Sequence, residues 1–230
     1  MKNSIRTIMQ ESKEQRYKAF AEQLRHPNGM LGKDVAGKMN KGNRLMNLEA
    51  IKELRLSEND QVLEIGMGNG FFVNDILLSD KSIKYFGCDT SLEMVDESIL
   101  LNAKWVQSGR ALFLRADAHH VPFQDGLFDK IFTVNTIYFW QDATKVLSGI
   151  KRTLKDNGLL IVSMRPKQVM EQMPVTKYGF NLFTHEDVAQ LLADNGFEVI
   201  QTVEKDDEDV KMDDIVIKNA YVVITAIKSK

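Results

Sequence analysis

The chain has 230 residues, of which 43% are hydrophobic and 27% charged, and its formal net charge is −2 at pH 7. This fits one sizeable globular domain, and the near-neutral charge gives no reason to expect nucleic acid or an anionic membrane as a partner. No apolar run approaches the roughly 18 residues of a membrane span. The first residues lack the apolar core of a signal peptide, and the single Cys88 excludes an internal disulfide and a multi-cysteine metal site. The sequence therefore predicts a protein of the reducing cytoplasm.

Two helical patterns occupy the first part of the chain. Residues 4–25 place apolar side chains at helical spacing, and the stretch RHPNGMLGK then interrupts the pattern with Pro27, Gly29 and Gly32. A second pattern runs through RLMNLEAIKELRL. We predict that residues 1–44 form an N-terminal helical lid and that residues 45–230 form the main domain.

Charge is unevenly distributed along the chain. Residues 1–48 carry ten Lys and Arg against four Asp and Glu, whereas EKDDEDVKMDD near the C-terminus is strongly acidic. Charge runs of this kind are usually solvated surfaces, and we interpret both in that way. The functional alternative is a basic lid that attracts an acidic substrate.

From Gln61 onward, short β-rich runs alternate with amphipathic helical segments. The predicted strands cover residues 61–65, 83–88, 112–116, 128–135 and 159–164. The predicted helices cover residues 70–79, 91–104, 141–156 and 184–195. The third of these helices is expected to stop at Asn157-Gly158, and the fourth to begin after the cap Thr184, with Asp187 completing the cap. This alternation predicts a doubly wound α/β fold with a parallel sheet.

The C-terminal region departs from this alternation. The runs FEVIQTV and AYVVITAIK are separated only by acidic residues without a helical pattern. We therefore expect the two runs to pair as a hairpin, which makes the last strand antiparallel in an otherwise parallel, seven-stranded sheet. This is not the plan of a six-stranded dinucleotide-binding fold.

A glycine-rich loop follows the first predicted strand, in the sequence VLEIGMGNGFF. Ligands of open α/β sheets bind at this edge. A triphosphate loop needs Lys and Ser or Thr after its last glycine, and GMGNGFFV has neither. The dinucleotide fingerprint Gly-x-Gly-x-x-Gly needs a small residue at its last position. Counted from Gly66 this position is Phe71, and counted from Gly68 it is Val73. Both phosphate-binding classes are therefore disfavoured.

The pattern Glu-x-Gly-x-Gly-x-Gly resembles motif I of class I S-adenosylmethionine-dependent methyltransferases. Further motifs follow in the same order, namely YFGCDTS, LRADAHHVPF, FDKIFTVNTIYFW and LKDNGLLIVS, and the C-terminal hairpin is typical of this family. The resemblance covers residues 45–228 and implies a Rossmann-like methyltransferase fold. The leader HPNGMLGKDVAGKMNKGNRLMN is similar to that of a group of small bacterial methyltransferases of this class.

The resemblance also implies roles for individual residues. Asp89 would hold the ribose hydroxyls, Asp117 and the backbone of Ala118 the adenine, and Glu64 the ammonium group of S-adenosylmethionine. A carboxylate can accept hydrogen bonds from both hydroxyls of a cis-diol. S-adenosylmethionine has no phosphate, so a negative charge at this position would not repel it. The cofactor-binding positions implied are Glu64, Gly66, Met67, Gly68, Asp89, Thr90, Asp117, Ala118 and Asn135.

Methyl transfer from a sulfonium is an in-line displacement that depends mainly on alignment, so the resemblance assigns no catalytic residue. Asn135 and Tyr138 share the spacing of the Asn-Pro-Pro-Tyr motif of methyltransferases that modify base amino groups. Tyr138 and His26 are the candidates for a catalytic role, while His119 and His120 are assigned surface or capping roles. The connection 165–183 is long enough for a substrate cover. The candidates for the acceptor pocket are Tyr138, Trp140, Met170 and Tyr178, with plain core packing as the alternative.

The expected function is methyl transfer to a small-molecule acceptor, which leaves S-adenosylhomocysteine as the product. The alternatives are a nucleic-acid methyltransferase and a regulator that binds the cofactor without catalysis. The basic leader and the Asn135–Tyr138 spacing favour nucleic acid, but the mildly acidic chain has no evident target-recognition domain. No metal ion is expected, and both a monomer and a homodimer are compatible with the sequence.

Overall fold

The computed structural model describes residues 12–212 and 215–229. Residues 1–11 lie outside this range, and with them the first part of the helical pattern expected over residues 4–25. The α-helices are α1 Lys13–Arg25, α2 Gly29–Gly42, α3 Arg44–Glu53, α4 Val73–Leu77, α5 Leu92–Leu101, α6 Ala103–Gln107, α7 Ala143–Thr153, α8 Lys167–Met170 and α9 His185–Asp194. The strands are β1 Gln61–Ile65, β2 Lys84–Asp89, β3 Ala111–Arg115, β4 Phe128–Val134, β5 Leu154–Met164, β6 Phe197–Met212 and β7 Ile215–Lys228. Short 3₁₀ turns cover Ala118–His120, Ile137–Phe139 and Pro174–Lys177.

The seven strands form one sheet in the order β3-β2-β1-β4-β5-β7-β6. The first five in this order pair in parallel, and β7 runs antiparallel to both β5 and β6. The predicted doubly wound, mostly parallel sheet with an antiparallel final strand is therefore confirmed. Strand order reverses where β1 lies between β2 and β4, which is where open α/β sheets bind their ligands.

Alternate side chains of the central strands enter two different core layers. In β1, Leu63 joins the layer that contains Val146 and Leu160, whereas Val62 joins the layer that contains Met46. Successive strand residues point to opposite faces of a sheet, and helices must cover both faces. Each fully buried aliphatic side chain stabilises the fold by about 1.5–3 kcal/mol, so both layers stabilise the sheet.

The glycines expected to interrupt the N-terminal helices behave differently in the structure. The break is limited to residues 26–28, and α2 begins at Gly29 and contains Gly32. A side chain at Gly32 would come within 2.8 Å of the carbonyl carbon of Pro27. Glycine at this position therefore lets α2 fold back tightly on the turn, so the prediction that Gly32 interrupts the helical pattern was wrong.

Two other expected boundaries were also wrong. Helix α7 ends at Thr153, and Asn157, with a φ of 61°, lies within β5, so no helix continues to Asn157-Gly158. Of the acidic residues between the C-terminal runs, Glu204 and Asp206 through Asp209 belong to β6 instead of a loop, and Asp213 and Asp214 lie outside the described residues. Asp207 of β6 contacts the Arg165 guanidinium at 3.1 Å, and Asp209 contacts Lys218 of β7 at 2.6 Å. These cations offset the acidic charge, which allows the hairpin to extend beyond the rest of the sheet. The expected capping box of Thr184 and Asp187 is present at the start of α9.

Candidate active site

The glycine loop leaves β1 with backbone angles that favour glycine. The φ angles of Gly66 and Gly68 are 74° and 56°, in the left-handed region. The N–H groups of Gly66 and Met67 donate to the carbonyl of Cys88 at 2.8 and 3.3 Å, so the loop is fixed to β2. A Cβ on Gly66 would overlap Cγ2 of Thr136, whereas a Cβ on Gly68 would meet no atom within 4 Å. Gly66 thus permits close packing, and Gly68 leaves space beside a cleft that both residues line.

Asp89, at the end of β2, joins this loop to the next helix. Its Oδ2 accepts a hydrogen bond from Gly68 N at 3.0 Å, and its Oδ1 accepts one from Ser91 N at 2.9 Å. Ser91 itself caps α5 by accepting from Met94 N. Burial raises the pKa of the Asp89 carboxyl, although these backbone hydrogen bonds oppose the shift. The carboxylate is thus held in a fixed orientation at the wall of the cleft.

Glu64 is a second buried carboxyl group on the same cleft. Burial raises its pKa to about 8, the hydrogen bond from the Tyr85 hydroxyl lowers it in part, and the neighbouring charge of Asp89 raises it further. Among the described residues, no Lys or Arg forms an ion pair with Glu64 or Asp89. The cleft therefore holds two buried carboxyl groups that have no ion-pair partner among the described residues.

The hydroxyl of Tyr85 was not identified as part of the site from the sequence. Glu64 of β1 pairs with Gly87 of β2, and Tyr85 lies two residues before Gly87 on the same face. Because Gly87 has no side chain, the Tyr85 hydroxyl reaches Glu64 at 2.5 Å, and a Cβ on Gly87 would overlap the sulfur of Met67. The signal in the sequence was the alternation of Tyr85 and Gly87 in the strand that follows Glu64.

Asp117 and His119 form the wall beyond β3. Asp117 Oδ1 accepts from His119 N at 2.8 Å and lies 2.6 Å from His119 Nδ1. His119 Nε2 accepts from Asp142 N at 3.3 Å, so the proton of a neutral imidazole resides on Nδ1 and is donated to Asp117. Partial burial works against ionisation of Asp117, but the hydrogen bonds from His119 outweigh it and lower the pKa of the carboxyl. Ala118 also lines the cleft, whereas His120 does not.

Asn135 lies at the end of β4 with a φ of 57°. Its N–H donates to the carbonyl of Ser163 at 2.9 Å, and its Oδ1 accepts from the Tyr138 hydroxyl at 3.1 Å. Asn135 therefore lines the cleft with its side-chain oxygen already bonded within the protein.

Tyr138 itself is not at the cleft. Its side chain is buried, and its hydroxyl accepts from the backbone N–H of Arg165, while the carbonyl of Arg165 lies within hydrogen-bond distance at 3.0 Å. Burial also raises the pKa of the phenol well above its ordinary value. The expectation that Tyr138 acts in catalysis or contacts the acceptor is therefore corrected, because Tyr138 supports the loop between β4 and α7 from behind.

The remaining candidates are divided between the cleft and the core. Trp140 and Thr90 line the cleft. Met170 is buried in the core, and Tyr178 packs under Lys18, whose Nζ lies 5.5 Å from the centroid of the Tyr178 ring. Neither residue lines the cleft, nor does any other residue of the connection 165–183. This connection contacts α1 through the Pro174–Lys177 turn.

Helices α1 and α2 form the outer wall of the cleft. The N-terminal residues that line it are Gln23, Leu24, Arg25, Pro27, Val35, Ala36, Met39 and Asn40. The turn between these helices is fixed to α5, because Ser91 Oγ donates to Pro27 O and Gly29 N donates to Glu93 Oε1 at 3.1 Å. His26 lies beside Thr90, with 3.5 Å between its Nδ1 and Thr90 Oγ1, but it does not line the cleft. The enclosed volume is about 320 Å³, at the lower end of the ~300–1,000 Å³ typical of ligand pockets.

Two further cleft residues, Asn43 and Asn47, were missed from the sequence. They are buried amides four residues apart, with Asn43 at the N-cap of α3 and Asn47 within the helix, which also buries Met46 and Ala50. Amides at core-facing positions of an amphipathic helix are unusual, and this was the available signal. Asn47 Nδ2 donates to Asn43 O at 2.8 Å, and Asn43 Oδ1 accepts from Arg165 at 3.3 Å.

Comparisons with known proteins agree with this architecture. Residues 63–162 match the family model of the methyltransferase domain. The uncharacterized methyltransferase YdaC of Bacillus subtilis (strain 168) is 27% identical over 135 residues, which cover 59% of this chain and 72% of YdaC. A chain from the complex of the Haloferax volcanii Trm112 methyltransferase activator with its methyltransferase superposes with a TM-score of 0.75 at 18% identity, covering 93% of this chain and 98% of that one. A SAM-dependent methyltransferase from Aquifex aeolicus superposes with a TM-score of 0.66 at 22% identity, covering 84% of this chain and 96% of that one.

No helix in the described part of the chain is long and apolar enough to cross a membrane. The matched range begins within β1 and contains the glycine loop, Asp89, Asp117 and Asn135. The domain match and the seven-stranded sheet identify a methyltransferase domain at residues 63–162 and the fold of class I methyltransferases.

Proposed function

We propose that this methyltransferase binds S-adenosylmethionine in the cleft and transfers its methyl group to a small-molecule acceptor. The observation that carries the proposal is the pair of buried carboxyl groups, Glu64 and Asp89, on one cleft without a described Lys or Arg partner. Buried charges are normally paired. A ligand that carries positive charge and no phosphate would complete this site, whereas a nucleotide phosphate would be repelled.

The cleft residues fit the separate parts of such a ligand. Asp89 keeps unused acceptor capacity on both carboxylate oxygens beyond its two backbone hydrogen bonds, which suits the two ribose hydroxyls. Asp117 uses only Oδ1 for His119, so Oδ2 is available to the adenine amino group. Glu64 would face the ammonium group, with the loop at Gly66 to Gly68 beside the methionine part. The side-chain oxygen of Asn135 is already bonded, so its contribution there would come from its backbone or its amide NH₂.

S-adenosylmethionine would supply the electrophilic methyl group and the leaving group. The protein would align the acceptor with that methyl group and exclude water. Helices α1 and α2 enclose the cleft, and Trp140 and Phe139 present aromatic surface to it. Alignment of two bound reactants can lower a barrier by about 7–11 kcal/mol, which makes positioning the main contribution of these residues.

The nucleic-acid alternative depended on an aromatic ring after Asn135 that stacks on a base. Tyr138, the residue at that position, is buried and holds the backbone of Arg165. No observation among the described residues favours a base-modifying reaction over a small acceptor.

Binding and transfer can be tested separately. S-adenosylhomocysteine at a hundred times its Kd should stabilise the protein by about 2.7 kcal/mol. With S-adenosylmethionine labelled in the methyl group, incubation with a cell extract should label the fraction that passes a small-pore filter. A lack of stabilisation at millimolar ligand would contradict cofactor binding. Label found only in nucleic acid or protein would contradict the small-molecule acceptor.

A further inference from the structure

The ionisable residues that line the cleft are separated by sign. Glu64, Asp89 and Asp117 are carboxyl groups, and His119 is bonded to Asp117. Among the described lining residues, Arg25 is the one Lys or Arg, and it comes from the last turn of α1. If the carboxyl groups bind a cationic cofactor, Arg25 remains available to bind the second ligand, which is the methyl acceptor.

The position of Arg25 assigns it to the part of the cleft next to β4. Its Nη1 lies 3.7 Å from where a Cβ on Gly179 would be. Two residues later, Asn181 donates its N–H to Tyr138 O at 2.9 Å and its side-chain amide to Trp140 O at 3.2 Å. The guanidinium therefore lies on the turn that is bonded to the loop after β4. We call Leu24, Arg25, Phe139, Trp140 and Gln141, all of which line the cleft, the acceptor mouth.

Arg25 also differs from Lys18 and Lys33, two paired basic residues of the N-terminal helices. Lys18 pairs with Glu14 at 2.8 Å, and Lys33 pairs with Glu97 at 2.7 Å. Arg25 makes no side-chain hydrogen bond or ion pair within residues 12–212 and 215–229, and its side chain is exposed. Its planar guanidinium can donate two parallel hydrogen bonds to a carboxylate or phosphate, and here this capacity is unused.

We propose that Arg25 is the specificity-determining residue for the acceptor, and that the acceptor carries a carboxylate or phosphate bound by Arg25 and an apolar body packed on Phe139 and Trp140. This inference rests on the proposed methyl transfer. It selects, from the basic residues of the lid that the structure describes, the one side chain that lines the cleft. An electrostatic role of the whole basic segment is not required.

A purely structural role for Arg25 predicts a different outcome. A basic residue in the last turn of a helix stabilises the helix end through the backbone dipole. In that case its loss would lower the melting temperature without changing ligand selectivity. Arg25→Lys keeps the charge at the helix end but loses the planar, two-pronged geometry, so it separates the two roles.

The test uses the full chain saturated with S-adenosylhomocysteine and titrated calorimetrically with benzoate, phenyl phosphate and benzamide. We expect one or both anions to bind at least about tenfold more tightly than neutral benzamide, since hydrogen bonds to charged groups contribute on that order. The better anion identifies the acceptor group as carboxylate or phosphate. Arg25→Gln should remove this preference, Arg25→Lys should retain part of it, and Arg16→Gln, an exposed residue on the same helix, should change nothing.

Arg25→Gln should leave the Kd for S-adenosylhomocysteine unchanged. Equal affinity of all three probes, no binding of any of them, or a full anion preference in Arg25→Gln would overturn the proposal. So would a selective loss of S-adenosylhomocysteine affinity in Arg25→Gln, because it would assign Arg25 to the cofactor. Failure of the wild-type protein to bind S-adenosylhomocysteine would instead contradict the proposed function itself.

Discussion

The hydroxyl of Tyr85 donates a hydrogen bond to the carboxyl group of Glu64 at 2.5 Å, across the space left by Gly87. Both side chains are buried, and burial raises the pKa of Glu64 to about 8 from an ordinary value of 4.5. In the protein without a ligand, Glu64 is therefore protonated over a pH range in which the unfolded chain has already lost this proton.

This relationship predicts a specific pH dependence of stability. The contribution of Glu64 is fully present below about pH 4.5 and is lost as pH rises through about 8. The free energy of unfolding should therefore fall between pH 5 and 8 more steeply in the wild type than in Glu64→Gln, by up to about 1.4 kcal/mol for each pH unit. Urea unfolding at several pH values measures the difference. Equal slopes in the two proteins would contradict a raised pKa at Glu64.

The same carboxyl group should couple ligand binding to pH. A ligand that places an ammonium group near Glu64 prefers its ionised form, so the affinity for S-adenosylhomocysteine should increase as pH rises from 6 to 8.5. In Glu64→Gln this increase should be smaller, because the amide cannot ionise. Calorimetric titration at each pH gives the affinity. An identical pH profile in both proteins would separate Glu64 from the ammonium group.

Asp89 provides the clearest prediction for cofactor affinity. Asp89→Asn keeps the volume but loses the charge, and its NH₂ group must face one of the backbone donors, Gly68 N or Ser91 N, that Asp89 now accepts from. We expect the Kd for S-adenosylhomocysteine to rise by about 10- to 100-fold, on the scale of lost hydrogen bonds to a charged group. Asp96→Asn, an exposed position on α5, is the matched control. Unchanged affinity in Asp89→Asn would exclude the ribose role.

The sequence could predict the parts of the site that depend on neighbouring residues, but not the parts that depend on contacts between distant segments. The positions of Glu64, Gly68 and Asp89 follow from strand ends and a loop motif, so their convergence at one edge of the sheet could be expected. The burial of Tyr138 depends on Arg165, 27 residues later, and no spacing pattern indicates such a contact. The presence of Arg25 at the cleft depends on how α1 packs against distant segments, which periodicity does not specify.

Gly66 and Gly68 have similar backbone angles but should respond differently to alanine. Gly66→Ala adds left-handed strain and a clash with the Cγ2 methyl group of Thr136, which together should cost about 2–5 kcal/mol of unfolding free energy. Gly68→Ala should cost only the backbone strain, about 1–2 kcal/mol. Thermal or urea unfolding gives both values.

The clash can be tested by removing the methyl group that causes it. Thr136→Ser deletes Cγ2 and keeps the hydroxyl that bonds Thr133. The double variant Gly66→Ala with Thr136→Ser should therefore be more stable than the sum of the two single changes predicts. Strict additivity would show that the loss at Gly66 comes from the backbone angle alone.

Arg165 joins the C-terminal hairpin to the start of α3. Its guanidinium donates to Asp207 of β6 at 3.1 Å, to Asn219 of β7, and to Gly42 O at 2.8 Å. The side chains of Arg165 and Asp207 are 7% and 5% exposed. The pair is thus buried between the hairpin and Gly42, and the residue after Gly42, Asn43, lines the cleft.

Removal of the cation should therefore affect both stability and binding. Arg165→Met leaves the buried Asp207 carboxylate without its partner and should lower the free energy of unfolding by about 3–5 kcal/mol. Adding Asp207→Asn should recover part of this loss, because the uncompensated charge is removed. Lys218→Met breaks the exposed pair with Asp209 on the same hairpin and should change stability by at most about 1 kcal/mol. Urea unfolding of the wild type and the three variants tests this order, and equal losses in Arg165→Met and Lys218→Met would contradict it. Since Arg165 also holds the segment before Asn43, the affinity of Arg165→Met for S-adenosylhomocysteine should fall, while that of Lys218→Met should not.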